Sequence, residues 1–290
     1  MIEEALYGHL TAQTELADFL TVYDEKPAVF SQEAPADNDE KWAPGPQYGR
    51  IVFSVDIQGD PERTMGGTLS VDISCKEGEQ FPEEIEPILR KLIHGYFFSS
   101  GALTVAAQWK TSSYFTEPTN EVIGCTVIFE LLAFPVLTTE TLDIIARINE
   151  WTASRFESIH VINHDKLPES AWRPKEKDSA VYWRLAQDAP AGWIPDTYQT
   201  IWRTATVRCH IFSETNAIAA SVAREITTRL YADKRIIKSG ETPIMVNRRN
   251  TEDFAADPLR TGQVSVEATY AIVVHRTTAD TLQNITHNQK

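Results

Sequence analysis

Long apolar runs are missing from this chain of 290 residues. The longest, Val127 to Leu137, is broken by Glu130 and Pro135 and falls well short of the roughly 20 residues that a membrane-spanning helix needs. No transmembrane segment and no membrane partner are expected. The opening MIEEALYGHL lacks the basic start, apolar stretch and small-residue cleavage site of a secretory leader, so the chain is expected to be made and kept in the cytosol. Cysteine is scarce. Three residues, an odd number without a CxxC pair, exclude a disulfide framework and fit a reducing compartment. With 42% apolar and 23% charged residues, the composition is that of a globular protein, long enough for about two domains.

The common chemical motifs are absent as well. There is no GxxxxGK[ST] phosphate loop, no GxGxxG, no GxSxG elbow and no HExxH pair. Only His160 and His164 stand at a metal-like spacing, but they lie where a strand runs into a loop, and no third ligand is indicated. Asp37-Asn38-Asp39 lacks the glycine and the distal carboxylate of a calcium loop. Cys75, Cys125 and Cys209 fall in or near strands and read as core thiols. No residue is singled out as catalytic, cofactor-binding or metal-ligating, and a non-enzymatic role is expected.

Basic charge is short in one half only. Residues 1–137 hold 22 Asp plus Glu against 8 Lys plus Arg, whereas residues 138–290 hold 19 of each. The first half therefore carries the whole formal charge of -14. A field of that sign repels nucleic acid and anionic lipid, so specific DNA binding is not expected.

What is present is a repeated order of elements. Ile2, Leu6, Leu10, Leu16, Ala17 and Leu20 give helical spacing, whole or broken into a pair. The stretch from Asp24 to Gly49, with four prolines, reads as a long loop. Ile51 to Ile57 and Leu69 to Cys75 read as an antiparallel strand pair around the glycine-bearing reversal Gln58 to Gly67, and Phe81 to Tyr96 as a helix. Leu103 to Trp109 and Val122 to Phe134 read as two more strands. From residue 138 the order recurs: a helix through Leu142, Ile145, Ile148, Thr152 and Phe156, a polar loop from Asn163 to Asp178, strands Ala180 to Ala186 and Thr204 to Phe212, a helix Asn216 to Tyr231, and strands Thr242 to Arg248 and Gly262 to His275. Two α+β domains follow, 1–137 (acidic) and 138–290 (net neutral), each an antiparallel sheet of about four strands with helices packed on one face.

Two clusters stand outside this frame. Trp151, Trp172, Trp183, Trp193 and Trp202 fall within about fifty residues; Trp183 reads as core, and Trp172 and Trp193, in Pro-bearing loops, as interface candidates. The basic set Arg229, Lys234, Arg235, Lys238, Arg248 and Arg249 reads as a solvated helix end, or as a docking face for an acidic partner or for the acidic half of a neighbouring subunit.

The opening Glu3-Glu-Ala-Leu-Tyr-Gly-His-Leu10, then Glu15-Leu-Ala-Asp-Phe-Leu20, the loop ending Ala43-Pro-Gly-Pro46, and the strands Ile51 to Asp56 and Leu69 to Cys75 leading into a helix resemble the tail completion or tail terminator proteins of tailed bacteriophages. The resemblance covers residues 1–137 directly and the second unit in element order only. It implies two tandem tail-terminator-like domains in a homo-oligomeric ring, a hexamer or a pseudo-sixfold trimer. Such a ring caps the tail tube and joins the tail tube protein to a head-proximal connector or neck protein, with genomic DNA passing through the lumen unbound. It implies a virion protein, present in the host cytoplasm before assembly, and no cofactor. The alternatives are another ring-forming tail or baseplate adaptor and, from a different class, a two-domain small-molecule-binding protein or enzyme.

Overall fold

Residues 67–76 alternate apolar and polar side chains, the pattern of a strand with one face in a core and one in solvent. In the computed structural model they form a strand that buries every second residue from Gly67 onward. The structure describes residues 1–44, 47–58, 66–101, 103–117, 121–135, 143–197, 199–236, 242–247 and 250–273. It is a mixed α+β protein whose sheets are mostly antiparallel. The junction expected at Pro135 to Thr141 lies almost wholly outside the described residues, as does the tip of the Gln58 to Gly67 reversal. Among the described residues, no helix is long and apolar enough to cross a membrane.

The elements in chain order are α1 (Ile2–Thr11), α2 (Thr14–Ala17), β1 (Val22–Tyr23), β2 (Lys26–Pro27), β3 (Val29–Ser31), β4 (Arg50–Ile57), β5 (Gly67–Lys76), α3 (Pro82–Ile93), β6 (Phe97–Ser100), β7 (Leu103–Glu117) and β8 (Val122–Ala133). There follow α4 (Ile144–Arg155), β9 (Ile159–Val161), β10 (Ala171–Trp172), β11 (Ser179–Pro190), β12 (Thr200–Ser213), α5 (Asn216–Asp233), β13 (Arg235–Ile236), β14 (Ile244–Val246), β15 (Thr251–Glu252) and β16 (Val264–Val273). The chain divides into two compact units, one of 1–136 with 158–182 and 212–214, the other of 137–157, 183–211 and 215–290.

In the first unit the strands run in the order β10-β6-β7-β8-β5-β4-β3. Its core draws on alternate residues of the central strands (Ile51, Phe53, Leu69, Val71, Ile73, Val127, Phe129) and on the apolar stripes of the helices (Leu6, Leu10, Ile85, Leu89). Pro82 stands at the first turn of α3, where a missing N–H leaves no bond unmade, and Glu83 and Glu84 sit at the positive end of its dipole. The expected long loop is partly structured: Trp42 is buried, its ring set edge-on against Tyr23 and Phe30 with centroids 4.9 and 5.6 Å away.

The second sheet has the order β13-β14-β16-β12-β11-β9, with β15 also on β16. With β10 set aside, replacing β6, β7, β8, β5, β4 and β3 by β13, β14, β16, β12, β11 and β9 converts the first order into the second, so the repeat seen in element order extends to strand pairing. Two expectations need correction. The first sheet has seven strands, and the second path six with β15 beside it, rather than about four; strands of two to four residues are too short for periodicity to mark. Neither sheet is purely antiparallel either, because β3 pairs parallel with β4 and β9 with β11.

In the second unit α4 is capped by Asp143, which accepts from the backbone N–H groups of Ile145 and Ala146, and α5 by Thr215, which accepts from Ile218. Trp183 is the largest fully buried side chain. Its indole N–H donates to the Thr152 hydroxyl at 3.0 Å, and that hydroxyl in turn donates to the Ile148 carbonyl. Trp183→Ala is expected to destabilise the protein by about 3–5 kcal/mol through the cavity it leaves. Thr152→Val, which strands a buried donor, should cost about 1–3 kcal/mol; urea unfolding followed by tryptophan fluorescence measures both.

Candidate assembly surface

The longest strand, β7, changes character midway. Thr104 to Ala107 are buried, whereas from Trp109 to Glu117 every residue except Ser112 is exposed. On one side the whole strand pairs with β8. On the other, β6 covers Leu103 to Ala106, and the Ala107 N–H and C=O bond to Tyr96 and Gly95. The Trp109 N–H is taken by the His94 ring nitrogen Nδ1 at 3.1 Å. Beyond Trp109, no described strand pairs with this edge. The sequence pattern predicts a strand that ends at Trp109; Thr111 to Thr116 pair fully with β8, but none of them is fully buried, so no hydrophobic alternation marks them.

A bulge at Lys110 sets which backbone groups face outward. Up to Trp109 the odd-numbered residues point away from β8, but the register passes from Trp109 opposite Phe129 to Thr111 opposite Ile128. In β8, Leu131 gives its carbonyl to Gly66 on the β5 side, and Phe134, three residues on, gives its N–H to Thr104 of β7. Side alternates along a strand, so Ile128, Thr126 and Gly124 face β7. Their partners Thr111, Ser113 and Phe115 therefore bond to β8, and Ser112, Tyr114 and Thr116 aim their N–H and C=O groups outward.

The bulge is held by a short chain of polar contacts. The Trp109 indole donates to the Ser112 hydroxyl at 3.0 Å, which donates to the Glu86 carboxylate at 2.7 Å. The Arg90 guanidinium lies 4.9 Å from the Trp109 ring centroid and 3.8 Å from Glu86. Trp109, Tyr114 and Phe115 are 36%, 53% and 39% exposed. Phe115 lies against Gly124, where any Cβ would meet its ring. From Thr111 to Thr116 the strand carries no charge.

The tryptophans separate. Trp151, Trp172 and Trp183 are buried, and Trp193 is 67% exposed. Trp172, expected at an interface, packs instead on Phe97 and under the His160 ring, because its loop segment forms β10 against β6. Trp193 borders a cavity of about 660 Å³ in the second unit, lined also by Thr204, Asn247 and Glu267. A cleft of about 500 Å³ in the first unit, lined by Ser99, Thr104, His164 and Asp165 among others, contains the second histidine of the metal-like pair. Among the described residues no group of three or more His, Cys, Asp or Glu is placed to hold a metal ion. Of the basic set, Arg229 pairs with Asp233 at 3.6 Å and Lys234 ends α5 in the left-handed conformation; Lys238, Arg248 and Arg249 lie outside the described residues.

All three thiols are buried. Burial raises Cys75 and Cys125 to about 11, with nearby glutamates adding to the effect, and raises Cys209 strongly. At pH 8 the native protein is expected to resist thiol-specific reagents and to react at all three sites only when unfolded, which a colorimetric thiol titration reads directly. Ser112→Ala removes the bridge between Trp109 and the buried Glu86; a loss of about 1–3 kcal/mol on chemical unfolding is expected.

The chain matches no protein-family model and no curated protein.

Proposed function

We propose that the chain is a structural virion protein of a tailed bacteriophage, a tail terminator or tail completion component built from two tandem tail-terminator-like domains. Copies form a ring that caps the tail tube and meets the head-proximal connector, leaving a lumen for DNA. The observation that carries this reading is the first unit itself. It is an antiparallel-rich sheet with helices on its core face and a long strand edge unpaired among the described residues. It lies in the part of the chain that holds the negative charge and carries the sequence resemblance. The repeated strand order supports two copies of one domain type. The mechanism is assembly without catalysis, with the tail tube protein and a neck protein as neighbours and the virion as the final location.

An acidic surface turned to the lumen keeps DNA from adhering as it passes, which gives the lopsided charge a use. Fold alone does not set axial position; immunogold labelling of particles places the protein at the head-proximal or the distal end, and the distal end would favour a baseplate adaptor. Native mass spectrometry and negative-stain imaging of the purified chain test the central point. Three or six copies of the 32.6 kDa chain around an open lumen are expected. A single chain at tens of micromolar would sink the ring.

A further inference from the structure

We infer that the open edge of β7 is the subunit contact: Tyr114 and Thr116 take an antiparallel strand from a second copy of this chain, supplied by the open stretch Ser54 to Ile57 of its β4. The inference deepens the ring reading and rests on it.

An edge that turns three outward N–H and C=O pairs to solvent is a template for another strand, and proteins ordinarily guard such edges with lysine, proline, a bulge or a covering segment. Here the bulge and Lys110 stand at the foot of the open stretch, and among the described residues nothing guards Thr111 to Thr116. These residues are β-branched, aromatic or small and polar, suited to a pleated pairing surface. Only an extended backbone satisfies the row, so the occupant is a strand rather than a small ligand.

The occupant's identity comes from the other end of the same sheet. There β3 pairs with Ile51 to Phe53 only, leaving Ser54 to Ile57 without a described partner on that side. The Ile51 N–H goes to Ala28 and the Phe53 carbonyl to Gln32, so by alternation Val55 and Ile57 also face outward. Direction alternates from β7 through β8 and β5 to β4. When one copy is set beside the next in the same orientation, β4 meets β7 antiparallel, the more stable mode. Placing Val55 opposite Thr116 and Ile57 opposite Tyr114 leaves β3 beyond the end of β7. It also offsets neighbours by about six residues, or about 20 Å along the strand.

Charge selects the same place. Residues 1–137 carry 22 acidic against 8 basic side chains, so copies repel except where charge is lacking, and Thr111 to Thr116 is an uncharged exposed strand. Two different surfaces meet in this contact, and such a head-to-tail junction closes into a ring or runs on as a filament.

The test uses the full chain. A Val55→Cys/Thr116→Cys chain places the new thiols on residues opposed at a spacing that a disulfide spans, while the native cysteines are buried. Mild oxidation should give a covalent ladder up to the ring, and either single variant should give none. A dimer from Thr116→Cys alone would show β7 meeting β7 and overturn the assignment. Tyr114→Pro removes an outward N–H that no described group uses, so it should stay folded by circular dichroism and run as a single chain. Ser113→Pro, whose N–H is given to β8, should instead lower the melting temperature, which confirms the ladder parity.

If Tyr114→Pro folds and still assembles like the wild type, the edge is wrong while the ring stands. If the wild type is a single chain, hydrogen exchange separates the remaining outcomes. Slow exchange at Ser112, Tyr114 and Thr116 means that the chain covers its own edge, which overturns this inference. Fast exchange there overturns the ring reading together with it.

Discussion

The ladder between β5 and β8, unbroken from Gly67 opposite Leu131 to Lys76 opposite Val122, is the constraint on which the first unit depends. Backbone polar groups must be paired wherever water is excluded, and these two central strands are paired on both sides. Their inner faces, Leu69, Val71, Ile73 and Cys75 with Cys125, Val127 and Phe129, are buried. A slip of one residue would turn every one of these side chains to solvent. The register therefore locks the core, the seat of α3, and through β8 the position of β7. Gly67 makes the start of the ladder possible: a side chain there would run into the backbone of Asp56 and Ile57.

The same register decides what is left over. Pairing with β8 carries β7 to Glu117, beyond the reach of β6, and the Lys110 bulge selects which residues face outward. The second sheet shows how the same topology looks without that overhang. The place of β7 is taken there by the three residues of β14 and by the separate strand β15, both on β16. The two similar strand orders thus differ at the strand edge, and the two halves of the sequence differ in charge.

Buried side chains in both units serve stability. The indole of Trp183 is tied through Thr152 to the α4 backbone, and Trp42 closes a loop whose prolines and polar residues suggest no structure. The thiols are held protonated by burial.

Period and alternation are local properties, and they were enough to mark Arg50–Ile57, Gly67–Lys76, Pro82–Ile93, Asn216–Asp233 and Val264–Val273 within a few residues, together with the order in which the elements recur. The uneven charge was likewise countable along the chain. Short strands such as Phe97–Ser100 and Ala171–Trp172 left no such mark, because two to four residues complete no pattern and a partner distant in sequence makes them strands. The burial of Trp172 and the exposure of Trp193, both in Pro-bearing loops, were decided the same way. So was the candidate surface: which backbone groups of β7 point outward depends on a bulge and on where β6 ends, and both are set by hydrogen bonds to other strands.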